Sequence, residues 1–140
     1  MNHRLNVLGA ALLMVAPLGC AHHNKKPAQG TAVITGTVSY PGVVPAGASL
    51  TVHLVENTWT SQMVEVLATD TLNFQDGPPV PYSIIYNPAE VEEENRYSLA
   101  ARATLPDGRV ILRSNAYMVL TRGNPTNNVN IQMVPFGPNR

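Results

Sequence analysis

The sequence predicts an all-β fold, and two observations predict it. From Thr31 onward, β-branched residues alternate with polar ones, and Gly, Pro and Asn interrupt the alternation at a spacing typical of a sandwich or barrel. No stretch keeps the 3.6-residue hydrophobic period of a helix. We therefore expect about seven antiparallel strands in an immunoglobulin-like sandwich. A small β-barrel is the alternative, because one sequence does not reveal strand pairing.

Seven segments carry the strand pattern, and turn residues separate them. They are residues 32–40, 49–56, 63–71, 82–86, 96–105, 109–121 and 128–134. Pro106-Asp107-Gly108 predicts the turn of a hairpin between the fifth and sixth segments. Period-two alternation assigns the inward side chains. In the first two segments these are Ile34, Gly36, Val38, Tyr40, Leu50, Val52 and Leu54. The third segment also suits a short turn.

The composition excludes one class of partner. Charged residues make up 13% of the chain, about half the share in an average soluble protein, and the formal net charge is zero. Lysine occurs only at Lys25 and Lys26, ahead of the first predicted strand. Binding of nucleic acid through phosphate contacts needs a basic face, and this sequence does not provide one. We therefore expect no nucleic-acid partner.

The amino terminus reads as a secretory signal. Arg4 precedes an apolar run over residues 7–18, and Gly19 leads into Cys20. The run is shorter than the roughly 20 residues of a membrane-spanning helix. We expect a signal peptide at 1–19, a polar tether at 20–30, a β-domain at 31–135 and a short tail at 136–140.

Cys20 is the candidate lipidation site. Pro17-Leu18-Gly19-Cys20 resembles the lipobox of bacterial lipoproteins, with its leucine one position nearer the cysteine than the usual pattern has it. Acylation would anchor the protein to the outer membrane, facing the periplasm, because Ala21 rather than Asp follows the cysteine. The alternative is an ordinary signal cut near Gly19 or Ala21, which would give a soluble periplasmic protein.

The sequence holds no pattern typical of an enzyme or a metal site. Cys20 is the only cysteine, which excludes an intrachain disulfide, and His22 and His23 lack further ligands on the tether. His53 is the only histidine beyond the tether, and alternation places it on an outward face. The acidic run at Glu90 and residues 92–94 is typical of a solvated loop. We expect no catalytic residue, no cofactor and no metal.

Trp59 is the candidate partner-binding residue. It stands in the polar stretch Thr58-Trp59-Thr60-Ser61 between two predicted strands. Tryptophan is enriched in the energetic centres of protein interfaces, so an exposed Trp59 would anchor a partner. The alternative is a side chain that folds back over the open end of the sandwich.

Several segments together resemble the YbaY and YscW group of envelope lipoproteins, whose YscW branch consists of type III secretion lipoprotein chaperones, or pilotins. The segments that carry the resemblance are residues 34–40, 45–56, 79–82, 86–88, 97–102, 107–109 and 114–117. The resemblance implies a lipoprotein with a β-sandwich body and no catalytic residues. Some relatives assist the assembly of an outer-membrane secretin.

We therefore expect a non-catalytic outer-membrane lipoprotein that binds an envelope protein, as a pilotin or chaperone does. An unprotected sheet edge would let a partner add a strand through main-chain hydrogen bonds. The alternative, from another class, is a periplasmic carrier that holds a small apolar ligand or lipid between its sheets.

Overall fold

Eight β-strands make up nearly all of the regular structure in a computed structural model that describes residues 30–57, 64–74 and 77–137. The strands are β1 (Ala32–Ser39), β2 (Ser49–Asn57), β3 (Val64–Leu72), β4 (Val80–Tyr86), β5 (Arg96–Thr104), β6 (Val110–Ser114), β7 (Tyr117–Val119) and β8 (Ile131–Pro135). One turn of 3₁₀ helix, Pro88–Glu90, lies between β4 and β5. The prediction of an all-β fold is confirmed.

The strands follow one another around a nearly closed ring. The order is β3-β2-β5-β6-β8-β1-β4, and β7 pairs with β5 beside β6. All pairs are antiparallel except β1 with β8. The first and last strands of this path, β3 and β4, lie side by side. The arrangement therefore matches the small-barrel alternative.

The interior of the ring is the hydrophobic core that the alternation predicts. Leu50, Val52 and Leu54 of β2 are fully buried. The other large side chains that are almost completely buried include Ile34, Val38, Ile84, Tyr97, Leu99, Val119, Ile131 and Met133. Seven strands contribute buried residues to one continuous apolar cluster, and β3 packs against this cluster with the partly buried Leu67, Ala68 and Leu72.

The predicted sixth strand is divided in two. The hydroxyl of Ser114 accepts a hydrogen bond from the backbone N–H of Ala101 at 2.8 Å, and the same hydroxyl donates to the carbonyl of Asn115 at 2.8 Å. A side chain thus takes the place of a backbone carbonyl, and the ladder with β5 passes from β6 to β7 at this point. The strand count rises from the predicted seven to eight for this reason.

The ring closes between β1 and β8 by a close backbone approach at Gly36. The ladder there consists of two residue pairs, and Val129, just before β8, extends it by donating its N–H to the carbonyl of Thr35 at 3.0 Å. The carbonyl oxygen of Val129 accepts a hydrogen bond from the buried hydroxyl of Tyr82 at 2.6 Å. A Cβ atom on Gly36 would lie 2.0 Å from this oxygen. Position 36 therefore admits only glycine.

The two ends of the ring differ in what they carry. The amino-terminal end is the end at which β1 begins, and it holds Asn57, Val64 and Tyr86 as well as the 3₁₀ turn. The opposite end holds the β1–β2 and β3–β4 connections. Within the described part of the chain, no helix is long and apolar enough to cross a membrane.

We expect Gly36→Ala to lower the free energy of unfolding by about 3 kcal/mol or more, because a methyl group would overlap the carbonyl of Val129. Urea unfolding followed by circular dichroism measures the change. The control is Gly137→Ala, since nothing lies within 4 Å of a Cβ at that position. Equal stability of the two variants would contradict this account of ring closure.

Candidate partner-binding surface

The strands β3 and β4 meet along a seam that has no backbone ladder in the described structure. β3 pairs with β2 and β4 pairs with β1, so the second edge of each strand faces the other. The backbone N–H of Ser83 crosses the seam to the carboxylate of Asp70 at 2.9 Å. Pro81 on β4 has no N–H to donate. The two strands thus adjoin without a main-chain ladder, and a sheet edge that lacks a ladder is where a partner adds a strand.

An aliphatic band, defined as Val33, Val64, Val66 and Ile85, flanks the seam on the outer surface. Val33 and Ile85 are register partners on β1 and β4, and they are 42% and 61% exposed. Val64 and Val66 on β3 are 60% and 54% exposed. Exposed aliphatic side chains that lie along one strand edge indicate an interaction surface, whereas single scattered ones do not.

An acidic pocket of about 420 Å³ opens at the amino-terminal end. Its lining residues are Glu56, Glu65, Val66, Leu67 and Glu90. The hydroxyl of Tyr97 lies beneath it, accepts the N–H of Glu92 at 2.8 Å, and has its pKa raised by burial. Glu90 and residues 92–94 are exposed, as predicted. The sequence did not predict that Glu56 lines the same pocket as Glu90. Among the described residues no group of His, Cys, Asp and Glu could hold a metal ion.

A second, more apolar pocket of about 360 Å³ lies at the opposite end. Tyr40 and Phe74 form its wall, with ring centroids 5.2 Å apart in an edge-to-face arrangement. Val43 on its rim is 97% exposed. This pocket opens to solvent at the end of the ring, whereas the carrier alternative expects a cavity between the sheets.

His53 lies on the outer face of β2, as the alternation predicts. Its Nε2 contacts the hydroxyl of Thr51 at 3.1 Å, and its Nδ1 contacts the hydroxyl of Thr69 at 2.9 Å. Burial lowers the pKa of His53, and the positive charge of Arg102 lowers it further. The imidazole therefore joins β2 to β3 in its neutral form.

The two site residues predicted from the sequence, Cys20 and Trp59, lie outside the described residues. Asn57 and Val64, which bracket the segment containing Trp59, pair with each other at the amino-terminal end. Asn57 and Val64 thus lie at the same end of the ring as Ala32, the first residue of β1. The roles of Cys20 and Trp59 stay predictions.

Sequence reasoning missed the seam, because which strands are neighbours depends on contacts between distant segments. Two signals of the seam were present in the sequence. Val33 and Ile85 stand at outward positions, where a solvated strand would carry polar residues. Pro81 was a second signal, because proline in a strand indicates an edge.

Comparison with known proteins gives a family and a related structure. Residues 29–133 match the family model described as YscW, type III secretion system lipoprotein chaperone. A pilotin from the type II secretion system of Vibrio cholerae, described as an alternative pilotin, has the same fold with a TM-score of 0.68. It is 23% identical, and the match covers 77% of this chain and 99% of that one. None of the curated proteins matches the sequence.

We expect His53 to make stability fall in mild acid. Its folded pKa lies below the ordinary value near 6.5, so its contribution is complete above that value and is lost as the pH falls toward the folded pKa. Urea unfolding at about pH 7.5 and about pH 5 measures the loss. His53→Gln should lose less stability over this interval than the unsubstituted protein. An identical loss in both would show that His53 does not titrate as described.

Proposed function

Because the chain belongs to the YscW family of type III secretion system lipoprotein chaperones, we propose that it is a non-catalytic outer-membrane lipoprotein that binds an envelope protein of a secretion system and assists its assembly. The family match covers β1 to β7 and the first three residues of β8. The pilotin of Vibrio cholerae supports the same class of function through its name, and its likeness to this chain concerns the fold.

The seam with its aliphatic band is the observation that carries the proposal. A partner segment lying along β4 would meet a strand edge without a ladder and aliphatic side chains on the outer face, and it would compete with Asp70 for the N–H of Ser83. Main-chain hydrogen bonds supply affinity in this mode, and side chains at alternate positions supply specificity. Burial of apolar surface adds about 25 cal/mol for each square ångström removed from water.

The membrane anchor in this proposal is an acylated Cys20. Ala32, where β1 begins, is twelve positions further along the chain. An extended chain of that length reaches at most about 40 Å, so the amino-terminal end of the ring would stay close to the membrane. Trp59, in the segment between Asn57 and Val64, is proposed as a further partner contact at this end.

The packing of the interior favours the adaptor over the carrier. Tyr97 and Leu99 of β5 and Met133 of β8 fill the ring with almost no exposure. A carrier needs a cavity of several hundred cubic ångströms for its ligand, placed within the apolar interior. The pockets described above lie at the ends of the ring instead, and one of them is lined by three glutamates.

We expect the double substitution Val33→Thr and Ile85→Thr to weaken partner binding. Each exchange keeps a β-branched side chain and removes apolar contact worth on the order of 1 kcal/mol, so the affinity should fall by about tenfold or more. The measurement is recovery of secretion-system envelope proteins with tagged full-length protein from solubilised envelopes, quantified by mass spectrometry. The intact mass of the mature amino terminus in the same sample reports whether Cys20 is acylated.

The matched control is Val43→Thr, since Val43 is the most exposed of the large apolar residues and lies at the opposite end. It should recover the partner like the unsubstituted protein. Equal recovery by the double variant and the control would overturn the assignment of the band. Failure of the unsubstituted protein to recover any secretion component would overturn the proposed function, and an unmodified Cys20 would overturn the anchor.

A further inference from the structure

Two arginines face each other on the outer surface, on the side of the ring remote from the seam. Arg102 on β5 and Arg113 on β6 are register partners, and both side chains are exposed. Side chains directly opposite on antiparallel strands lie about 5 Å apart at Cβ, and like charges in these positions destabilise the sheet. The pair therefore lowers the stability of the sheet, and a role in binding would explain why it is present.

No carboxylate within the described structure neutralises this pair. The ion pair found among the described residues joins Arg109 to Asp107 at 3.8 Å, in the turn between β5 and β6. Most of the described acidic residues lie at the amino-terminal end; they are Glu56, Glu65, Glu90, Glu92, Glu93 and Glu94. The positive charge of Arg102 is felt by His53, whose pKa it helps to lower. The two guanidinium groups thus form a local positive centre on a chain whose net charge is zero.

Apolar groups adjoin the pair and hold one arginine in place. The guanidinium carbon of Arg113 lies 4.4 Å from the ring centroid of Phe136, and that ring is 43% exposed. The N–H of Phe136 donates to the carbonyl of Ile111 at 2.8 Å, which fixes the backbone beneath the ring. Val134, the register partner of Arg113 on β8, is 51% exposed. Arg102, Arg113, Val134 and Phe136 together make up what we call the arginine patch.

We propose that the arginine patch binds a segment of a partner protein that carries carboxylates next to an aliphatic side chain. Guanidinium groups bind carboxylates through paired hydrogen bonds, and a guanidinium already stacked on an aromatic ring loses little freedom on binding. The row from Arg102 through Arg113 to Val134 crosses strands about 4.8 Å apart. Residues four apart on a helix are about 6 Å apart, so two glutamates and a leucine spaced in this way match the row.

A protein segment fits this position better than a membrane surface does. Arg102 lies six residues along β5 from the amino-terminal end, a distance of about 20 Å. The chain leads toward Cys20 from that end, so the patch is directed away from the proposed anchor. The inference rests on the proposed function only in taking the occupant to be a protein.

The test is fluorescence anisotropy with a labelled alanine-based helical peptide that carries two glutamates and one leucine at successive four-residue spacings. Full-length detergent-solubilised protein should bind this peptide at low salt, and binding should weaken as salt rises. The same peptide with glutamine in place of glutamate should bind about tenfold more weakly. The double variant R102Q/R113Q should lose affinity for the glutamate peptide by the same factor.

The matched control is R109Q/R122Q, which removes the same charge from two other exposed positions. It should bind the glutamate peptide like the unsubstituted protein. Because R102Q/R113Q removes a like-charge pair, its thermal midpoint should be no lower than that of the control. Equal binding of the two peptides, or equal losses in both double variants, would overturn the proposal. So would binding to phosphatidylglycerol vesicles that depends on Arg102 and Arg113 while the glutamate peptide does not bind. None of these outcomes bears on recovery of the partner through the aliphatic band.

Discussion

The close approach of the Val129 carbonyl to Gly36 is the contact on which the ring depends. The ladder between β1 and β8 consists of two residue pairs, far fewer than in the ladders of β2. Two further hydrogen bonds hold the segment before β8. The N–H of Val129 donates to the carbonyl of Thr35 on β1, and the hydroxyl of Tyr82 on β4 donates to the Val129 carbonyl from the inside. A side chain at position 36 would occupy the place of that carbonyl. Because the bond is buried, its loss would leave a carbonyl without a donor, which costs about 1–3 kcal/mol.

Closure at β1 and β8 also determines where the ring remains open. β4 pairs with β1 and so becomes the last strand of the path, and β3 is the first. The edges of these two strands adjoin, but no ladder joins them. The backbone N–H of Ser83 instead donates a hydrogen bond to the side chain of Asp70. The outer surface is divided accordingly. Aliphatic residues flank the seam, two arginines stand on the remote side, and glutamates gather at the amino-terminal end. One body thus presents three chemically different surfaces.

Much of the fold could be predicted from the sequence, because alternation is a local property. It correctly assigned Leu50, Val52 and Leu54 to the interior and His53 to the outer face. Strand order could not be predicted, since β1 meets β8 across most of the chain and neither segment carries a local mark of the other. The candidate surface was visible in part. Val33 and Ile85 are outward aliphatic residues in the sequence, yet only their register makes them a pair. Cys20 and Trp59 depend on chemistry and partners outside the described structure, and their roles stay predictions.

Hydrogen–deuterium exchange on the purified complex will show whether a partner occupies the seam, as we propose. The backbone N–H of Ser83 points across the seam, and the N–H of Ile85, two residues further along β4, belongs to the same edge. A bound partner should slow amide exchange in β4 and β3 relative to the free protein. Exchange at the pocket formed by Tyr40 and Phe74 should not change. Slowed exchange at that pocket alone, with β3 and β4 unaffected, would show that the partner does not bind at the seam.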